Sequence, residues 1–275
     1  MMKTVLVSAG VALVVALGAM AVDRALIAPS QPPAAEPAAG TPEIVESAPA
    51  ELDREEVGQI VRDYLLDNPR LLEEVIDALE QEQAGAQAEA QRAAIVDNRD
   101  ALLDPPHGYV AGNPEGDVTM VEFFDYNCPY CRQMVPVVMR LIDEDPDLRV
   151  ILLDWPVLGE ESVEASRIAM AVKRVLPDRY LEFHQALMQQ RGRIDGDRAV
   201  AIAEEFGVDS DELSEAAAAA EIDTALQEAE QLGSRIGLRG TPSYIVGDEV
   251  LGGAVGGEML REEIAKVREE GCAIC

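Results

Sequence analysis

Residues 118–131 read VTMVEFFDYNCPYC, from Val118 to Cys131. The first seven are β-branched, aromatic or apolar around a single acid, a run short enough for a buried strand. Cys128 follows within four residues, and Pro129 suits the first position of a helix carrying Met134, Val137, Val138 and Leu141. Two thiols three positions apart therefore straddle a strand-to-helix junction. A thiol attacks a disulfide only as thiolate, and an ordinary cysteine is mostly protonated at neutral pH, so exchange chemistry needs that pKa lowered. Unpaired N–H groups and the positive end of a helix dipole do so when the sulfur sits just ahead of the helix. This setting makes Cys128 the candidate nucleophile. Cys131, one turn on, is placed to resolve a mixed disulfide.

Two other uses of the pair compete with redox chemistry. A structural disulfide needs no such junction. A closed zinc site needs four ligands, and the two histidines, His107 and His184, have no ligand-like spacing to the cysteines, so no metal or cofactor is assigned. His184, in YLEFHQALM, reads as a helix residue packed or hydrogen-bonded within its own helical block. A carrier or holdase with CPYC as a copper(I) thiolate site is a reading of a different class. The second pair, Cys272 and Cys275, occupies the last four residues, 272–275, where chains are usually mobile. It reads as a local or intermolecular disulfide, with an auxiliary pair that exchanges with Cys128 and Cys131 as the sharper alternative. Its CAIC ending fits a prenylation pattern, which an exported chain would not use.

Export is written at the other end. Lys3 precedes a charge-free run from Val5 to Val22, Ala19-Met20-Ala21 supplies a small-x-small cleavage pattern, and 1–27 reads as a signal peptide or, uncleaved, a membrane anchor. Both place the rest of the chain in an extracytoplasmic, oxidising compartment such as a periplasm. Residues 28–50 are rich in Pro and Ala and read as a tether. The 275 residues include 52 acidic against 22 basic, a formal charge of -30. That balance excludes nucleic acid and anionic membrane surfaces as partners, because both need positive footprints.

A helical arm occupies 51–104. Val57, Ile60, Val61, Tyr64 and Leu65 recur on one helix face, Asp67-Asn68-Pro69 breaks the helix, and a long second helix carries Leu71, Leu72, Val75, Ile76 and Leu79 and runs on to Leu103. Two helices have too little core to stand alone, so the stripe packs on this chain's own domain or on other copies of the arm. Beyond it, 105–271 reads as strand, helix, a second strand at Arg149 to Asp154, a helical block over about 160–236, a hairpin at Pro242 to Val255, and a closing helix at 257–270. The block breaks at Pro177-Asp178, Gly192 to Gly196 and Gly207 to Asp209. Strands alternating with helices make the class α/β.

VEFFDYNCPYC, the helical block and the late Gly240-Thr241-Pro242-Ser243 together resemble the DsbA-like family of exported thiol-disulfide oxidoreductases, over about residues 105–270. The resemblance implies a thioredoxin fold with a helical insertion, preceded here by the helical arm. It also implies a cis bond at Thr241-Pro242, lying against the cysteine pair and offering backbone groups to a substrate strand beside Tyr130. Glu122 matches the family's acid beneath the active site; facing inward, it would have a raised pKa and relay the proton of Cys131. The arm, REEVGQIVRDYLLDNPRLLEEVIDAL, resembles the ScsC-like branch, which includes homotrimeric disulfide isomerases, and implies a homo-oligomer, a trimer by that likeness. Partners implied are secreted proteins bearing thiols or disulfides and a membrane redox partner. Pro129-Tyr130 departs from the histidine that the family's strongest oxidase carries between its cysteines, so less positive charge faces the thiolate. The departure, Thr241 before the proline and the arm favour isomerase or reductase over dedicated oxidase.

Overall fold

The computed structural model describes residues 53–274, so the expected signal segment and the tether lie outside the described residues. The chain divides into units at Ile60/Val61. Described residues of the first unit open α1 (Arg54–Asp67), which ends where Asn68-Pro69 forbids continuation; Pro69 then starts α2 (Pro69–Asp97) at its first position. The long helix expected through Leu103 is interrupted at Asn98, whose Nδ2 donates to the Ala94 carbonyl at 2.8 Å and competes with the backbone ladder; α3 (Arg99–Leu103) follows. Among the described residues, no helix is long and apolar enough to cross a membrane.

Among the described residues, five strands form one sheet: β1 (Tyr109–Gly112), β2 (Val118–Phe124), β3 (Leu148–Asp154), β4 (Ser243–Val246) and β5 (Glu249–Gly252), in the order β1-β3-β2-β4-β5. β2 and β3 are parallel, joined through α4 (Pro129–Glu144), while β1 and β4 pair antiparallel with β3 and β2. β1 is absent from the sequence reading; its four residues, YVAG, show too little alternation to be read as a strand. The helical block resolves into α5 (Glu160–Val175), α6 (Tyr180–Met188), α7 (Gly196–Glu205), α8 (Ser210–Ala217) and α9 (Ala220–Ile236), and α10 (Gly257–Glu270) closes the chain. Its breaks fall where expected, with one more at Ala218-Ala219.

Strand period sorts the core. Val118, Met120 and Phe124 of β2 point into a large cluster with α4 and the helical block, whereas Val121 and Phe123 point to the other face, with Ile95 of α2, Leu102 of α3 and Leu232 and Ile236 of α9. Glu122 shares the parity of Met120 and Phe124, so it faces α4. The C-terminal tail is not loose, contrary to the expectation for a chain end. Ile274 is buried in the second cluster, Ala273 N–H donates to Asp248 at 3.2 Å, and Cys272 is held in a disulfide. An apolar seat for Ile274 and the close approach of Cys272 to bare Gly247 fix it. Cys275 lies outside the described residues.

Candidate active site

Cys128 is the N-cap of α4, with extended backbone (φ -78°, ψ 117°) and Pro129 inside the first turn. Its Sγ accepts from the Cys131 N–H at 3.4 Å, satisfying one of the donors that a helix start leaves unpaired. The same sulfur lies 3.1 Å from the Thr241 carbonyl, which the cis Thr241-Pro242 bond presents just ahead of β4. Cys128, Cys131, Thr241 and Pro242, separate in sequence, therefore meet at one point. Both cysteines are free. Tyr130 is exposed beside them.

The electrostatics divide the pair. Hydrogen bonding from the Cys131 thiol, helped by the Thr241 side chain and the Tyr130 and Cys131 N–H groups, brings Cys128 down from 9.0 to about 6 against the opposing effect of burial. Cys131 is pushed far up, first by burial and then by its bond to Cys128. One sulfur is thus a thiolate at neutral pH and the other a retained thiol. An arrangement of this kind can attack a disulfide with Cys128 and then needs a base to release Cys131.

Glu122 is the carboxylate at hand. It is buried on β2, and burial raises it from 4.5 to about 7; the Cys128 thiolate adds to that rise, while a hydrogen bond from Tyr244 Oη at 3.1 Å opposes it. Tyr244 faces Glu122 directly across the β2–β4 ladder. Its part was not readable in the sequence, because only the register of two distant strands sets the pair opposite. Asp125 and Asn127 were likewise passed over. Asp125 accepts from Asn127 N–H at 2.7 Å and from Leu158 N–H at 2.9 Å; the Asp-x-Asn spacing is an Asx-turn signal that could have been found. Asn127 locks the turn before Cys128 to the insertion, donating to Ser162 Oγ at 3.1 Å and Ile194 O at 2.8 Å and accepting from Ile194 N–H at 2.7 Å. Arg132 adds donations to Tyr126 O and Gly192 O, both at 2.9 Å. His184 is buried, as expected for a packed helix residue. Its Nδ1 pairs with Tyr126 Oη at 3.1 Å, and burial holds it down to about 3.

A mixed sheet with a helical insertion, bearing a CxxC at the start of α4 against a cis X-Pro loop, defines the class of thioredoxin-fold proteins built around a reactive dithiol. Within that class the chain belongs to the DSBA-like thioredoxin domain family, whose model matches residues 119–265, and a model described as the copper resistance protein ScsC N-terminal domain matches 53–86. A thioredoxin-like oxidoreductase from Silicibacter pomeroyi is 40% identical, covering 62% of this chain and 98% of its own, with a TM-score of 0.60. Proteus mirabilis ScsC in a transitional conformation is 30% identical over 81% of this chain and 100% of its own, TM-score 0.60. The Na(+)/H(+) antiporter NhaA 1 of Salinispora arenicola is 27% identical over 115 residues, 41% of this chain; the match spans 17% of the antiporter's length.

Proposed function

We propose that this protein exchanges disulfides in secreted proteins through Cys128 and Cys131, outside the cytoplasm, acting as an isomerase or reductase. The observation that carries the reading is the position of Cys128 Sγ, capped by Cys131 N–H and set 3.1 Å from Thr241 O. In the reaction, the Cys128 thiolate attacks a substrate disulfide, the leaving substrate sulfur takes a proton, and a mixed disulfide forms. Cys131 then loses its proton to Glu122 and attacks Cys128 Sγ, which releases the second substrate sulfur as thiolate and leaves a Cys128–Cys131 disulfide. The reverse sequence oxidises a dithiol substrate. Thr241 and Pro242 offer backbone groups to the substrate strand, with Tyr130 at the rim.

The thiolate supports this direction. With Cys128 lowered from 9.0 to about 6, the reduced form gains about 1.4 kcal/mol at pH 7, equivalent to about 30 mV for a two-electron couple. The value lies between the pKa near 3.5 of a strong periplasmic oxidase and that near 7 of thioredoxin, which favours a milder couple. The periplasmic thioredoxin-like neighbour from Salmonella enterica supports the compartment. Residues 1–27 would supply export, as signal or anchor, and 28–50 a tether. The arm, 51–104, would assemble copies of the chain ahead of the catalytic domain, 105–271. Val57, Ile60, Val61 and Tyr64 on α1 and Leu72, Val75, Ile76 and Leu79 on α2 are all exposed, which supports that role, and the ScsC likeness points to a trimer. A membrane redox partner would reset the dithiol.

Refolding of a scrambled disulfide protein, run beside insulin reduction and a redox titration, tests the reading. Activity in the first two with a potential below that of a dedicated oxidase is expected, with Cys128→Ser inactive. A potential as oxidising as a dedicated oxidase's, with no unscrambling, would refute isomerase or reductase action. The name of the matching N-terminal family favours copper as a second reading, and Cu(I) retention by the reduced protein, lost on Cys128→Ser without any exchange activity in the parent, would replace the first.

A further inference from the structure

Around the Cys128 thiolate most ionisable groups are neutral or negative. Pro129 and Tyr130, between the two cysteines, bring no positive charge. Cys131 on α4, Glu122 on β2 and Tyr244 on β4 all interact with the sulfur, and each is neutral or an anion. Asp125 lies in the turn before Cys128, and burial keeps His184, behind Tyr126, neutral. On the insertion, Arg193 pairs with Glu161 at 2.9 Å, and Arg191 is exposed.

Arg132 stands one turn beyond the cap, four residues after Cys128 on α4. Residues four apart share a helix face, and side chains lean toward the helix N-terminus. The hydrogen bonds record that lean: Nε donates to Tyr126 O and Nη1 to Gly192 O, both at 2.9 Å, and Nη2 reaches to 3.5 Å from Asn127 Oδ1. The guanidinium is therefore drawn back to the two residues just ahead of Cys128. A helix start is the unfavourable end for a cation, because its unpaired N–H groups already make it positive. No carboxylate offsets that cost by direct contact: among the described residues every acceptor of Arg132 is an uncharged oxygen, in a chain with 52 acidic residues against 22 basic. Something else at this end must favour a positive charge.

We propose that Arg132, its guanidinium fixed between the turn before Cys128 and the Gly192 carbonyl of the insertion, is the cation that stabilises the Cys128 thiolate. It acts on the reaction only through Cys128, as a positioning residue. The inference deepens the exchange reading above and rests on it for its use. Charge coupling is mutual, and Arg132 carries its half of it: burial lowers its pKa, while Asp125 first and then Cys128 and Cys131 work against that fall. Asp125 is already engaged by the Asn127 and Leu158 N–H groups. Gly192, at a φ of 81° where glycine is favoured, ties the charge to the insertion, so the helical block reaches the thiolate through this one side chain.

Full-length Arg132→Met, Arg132→Gln and Arg132→Lys test this, with urea unfolding to establish that each folds; the two neutral variants read the same charge, so one suffices. The midpoint of Cys128 alkylation by iodoacetamide against pH should rise by about half a unit in the neutral variants, about threefold in proton affinity, the scale of a partly exposed charge pair. In Arg132→Lys, which keeps the charge and loses the planar fork, the rise should be less than half as large. At pH 7 and a fixed ratio of reduced to oxidised glutathione, the neutral variants should stand about two- to threefold further toward the Cys128–Cys131 disulfide, because a less stabilised thiolate favours the dithiol less. An Arg132 that only fastened the insertion would lower the urea midpoint of all three variants and leave the alkylation midpoint at the parent's value. That result, or equal rises in Arg132→Lys and Arg132→Met, would overturn the proposal. If the exchange reading alone is wrong, the alkylation shift persists while the parent neither reduces insulin nor unscrambles disulfides.

Discussion

Replacing Glu122 by Gln should stabilise the folded protein, and by an amount set by pH. The carboxyl is 4% exposed on β2 and accepts from Tyr244 Oη at 3.1 Å, a bond that a glutamine oxygen can also accept. Burial, the leading cause, raises its pKa from 4.5 to about 7. In the unfolded chain the group ionises near its ordinary value, so between these limits the folded state binds more protons, and stability falls as pH rises through the window. A rise of about 2.5 at about 1.36 kcal/mol each gives a loss of about 3 kcal/mol, nearly complete by about pH 8. Gln does not titrate and avoids it. Urea denaturation should therefore show Glu122→Gln ahead of the parent by about 1 kcal/mol at pH 5 and about 3 kcal/mol at pH 8. Oxidising the cysteines removes the Cys128 thiolate, which is the smaller cause of the rise, so the gain should shrink without vanishing. A gain that does not change between the two pH values, or a loss at pH 8, would refute the assignment of Glu122 as a buried, proton-holding carboxyl.

Cys128 should show the opposite pH sense. Its folded pKa is depressed from 9.0 to about 6, so the reduced protein gains stability as pH rises between those values; denaturation of Cys128→Ser should lack that limb. Iodoacetamide labelling followed by mass spectrometry should modify Cys128 with a midpoint near pH 6 and leave Cys131, buried and held as thiol, unmodified across the same range. Asn127→Ala removes three hydrogen bonds between the turn before Cys128 and the insertion and should cost about 2–3 kcal/mol by thermal or urea unfolding. Ile60→Asp with Tyr64→Asp should lower the assembled mass in analytical ultracentrifugation while leaving reaction with a small disulfide unchanged, because both side chains are exposed on α1.

Much of the site was readable because its parts are local. A β-branched run, a proline at the first helical position and two thiols one turn apart are periodic features, and they put Cys128 at the cap of α4 without reference to the rest of the chain. The Asx turn of Asp125 was equally local and was overlooked. Tyr244 was different in kind: 122 positions separate it from Glu122, and only the antiparallel register of β4 against β2 sets them face to face. β1, with four residues, fell below the length at which alternation carries meaning, and the seat of Ile274 depended on a cluster assembled from α2, α3, α9 and the sheet.

By itself, then, the amino-acid order determined the class of the fold, the strand-to-helix junction and the cysteine set at the helix cap, since each depends on neighbours within one or two turns. Tertiary structure decided the chemistry's terms. Closing β4 onto β2 buried Glu122 beside Tyr244 and brought the Thr241 carbonyl to Cys128, while packing α2 on the same sheet buried Ile95. The physical reason is that hydrophobic periodicity acts along the chain, whereas desolvation and cross-strand hydrogen bonds, which shift the proton affinities, exist only after distant segments meet.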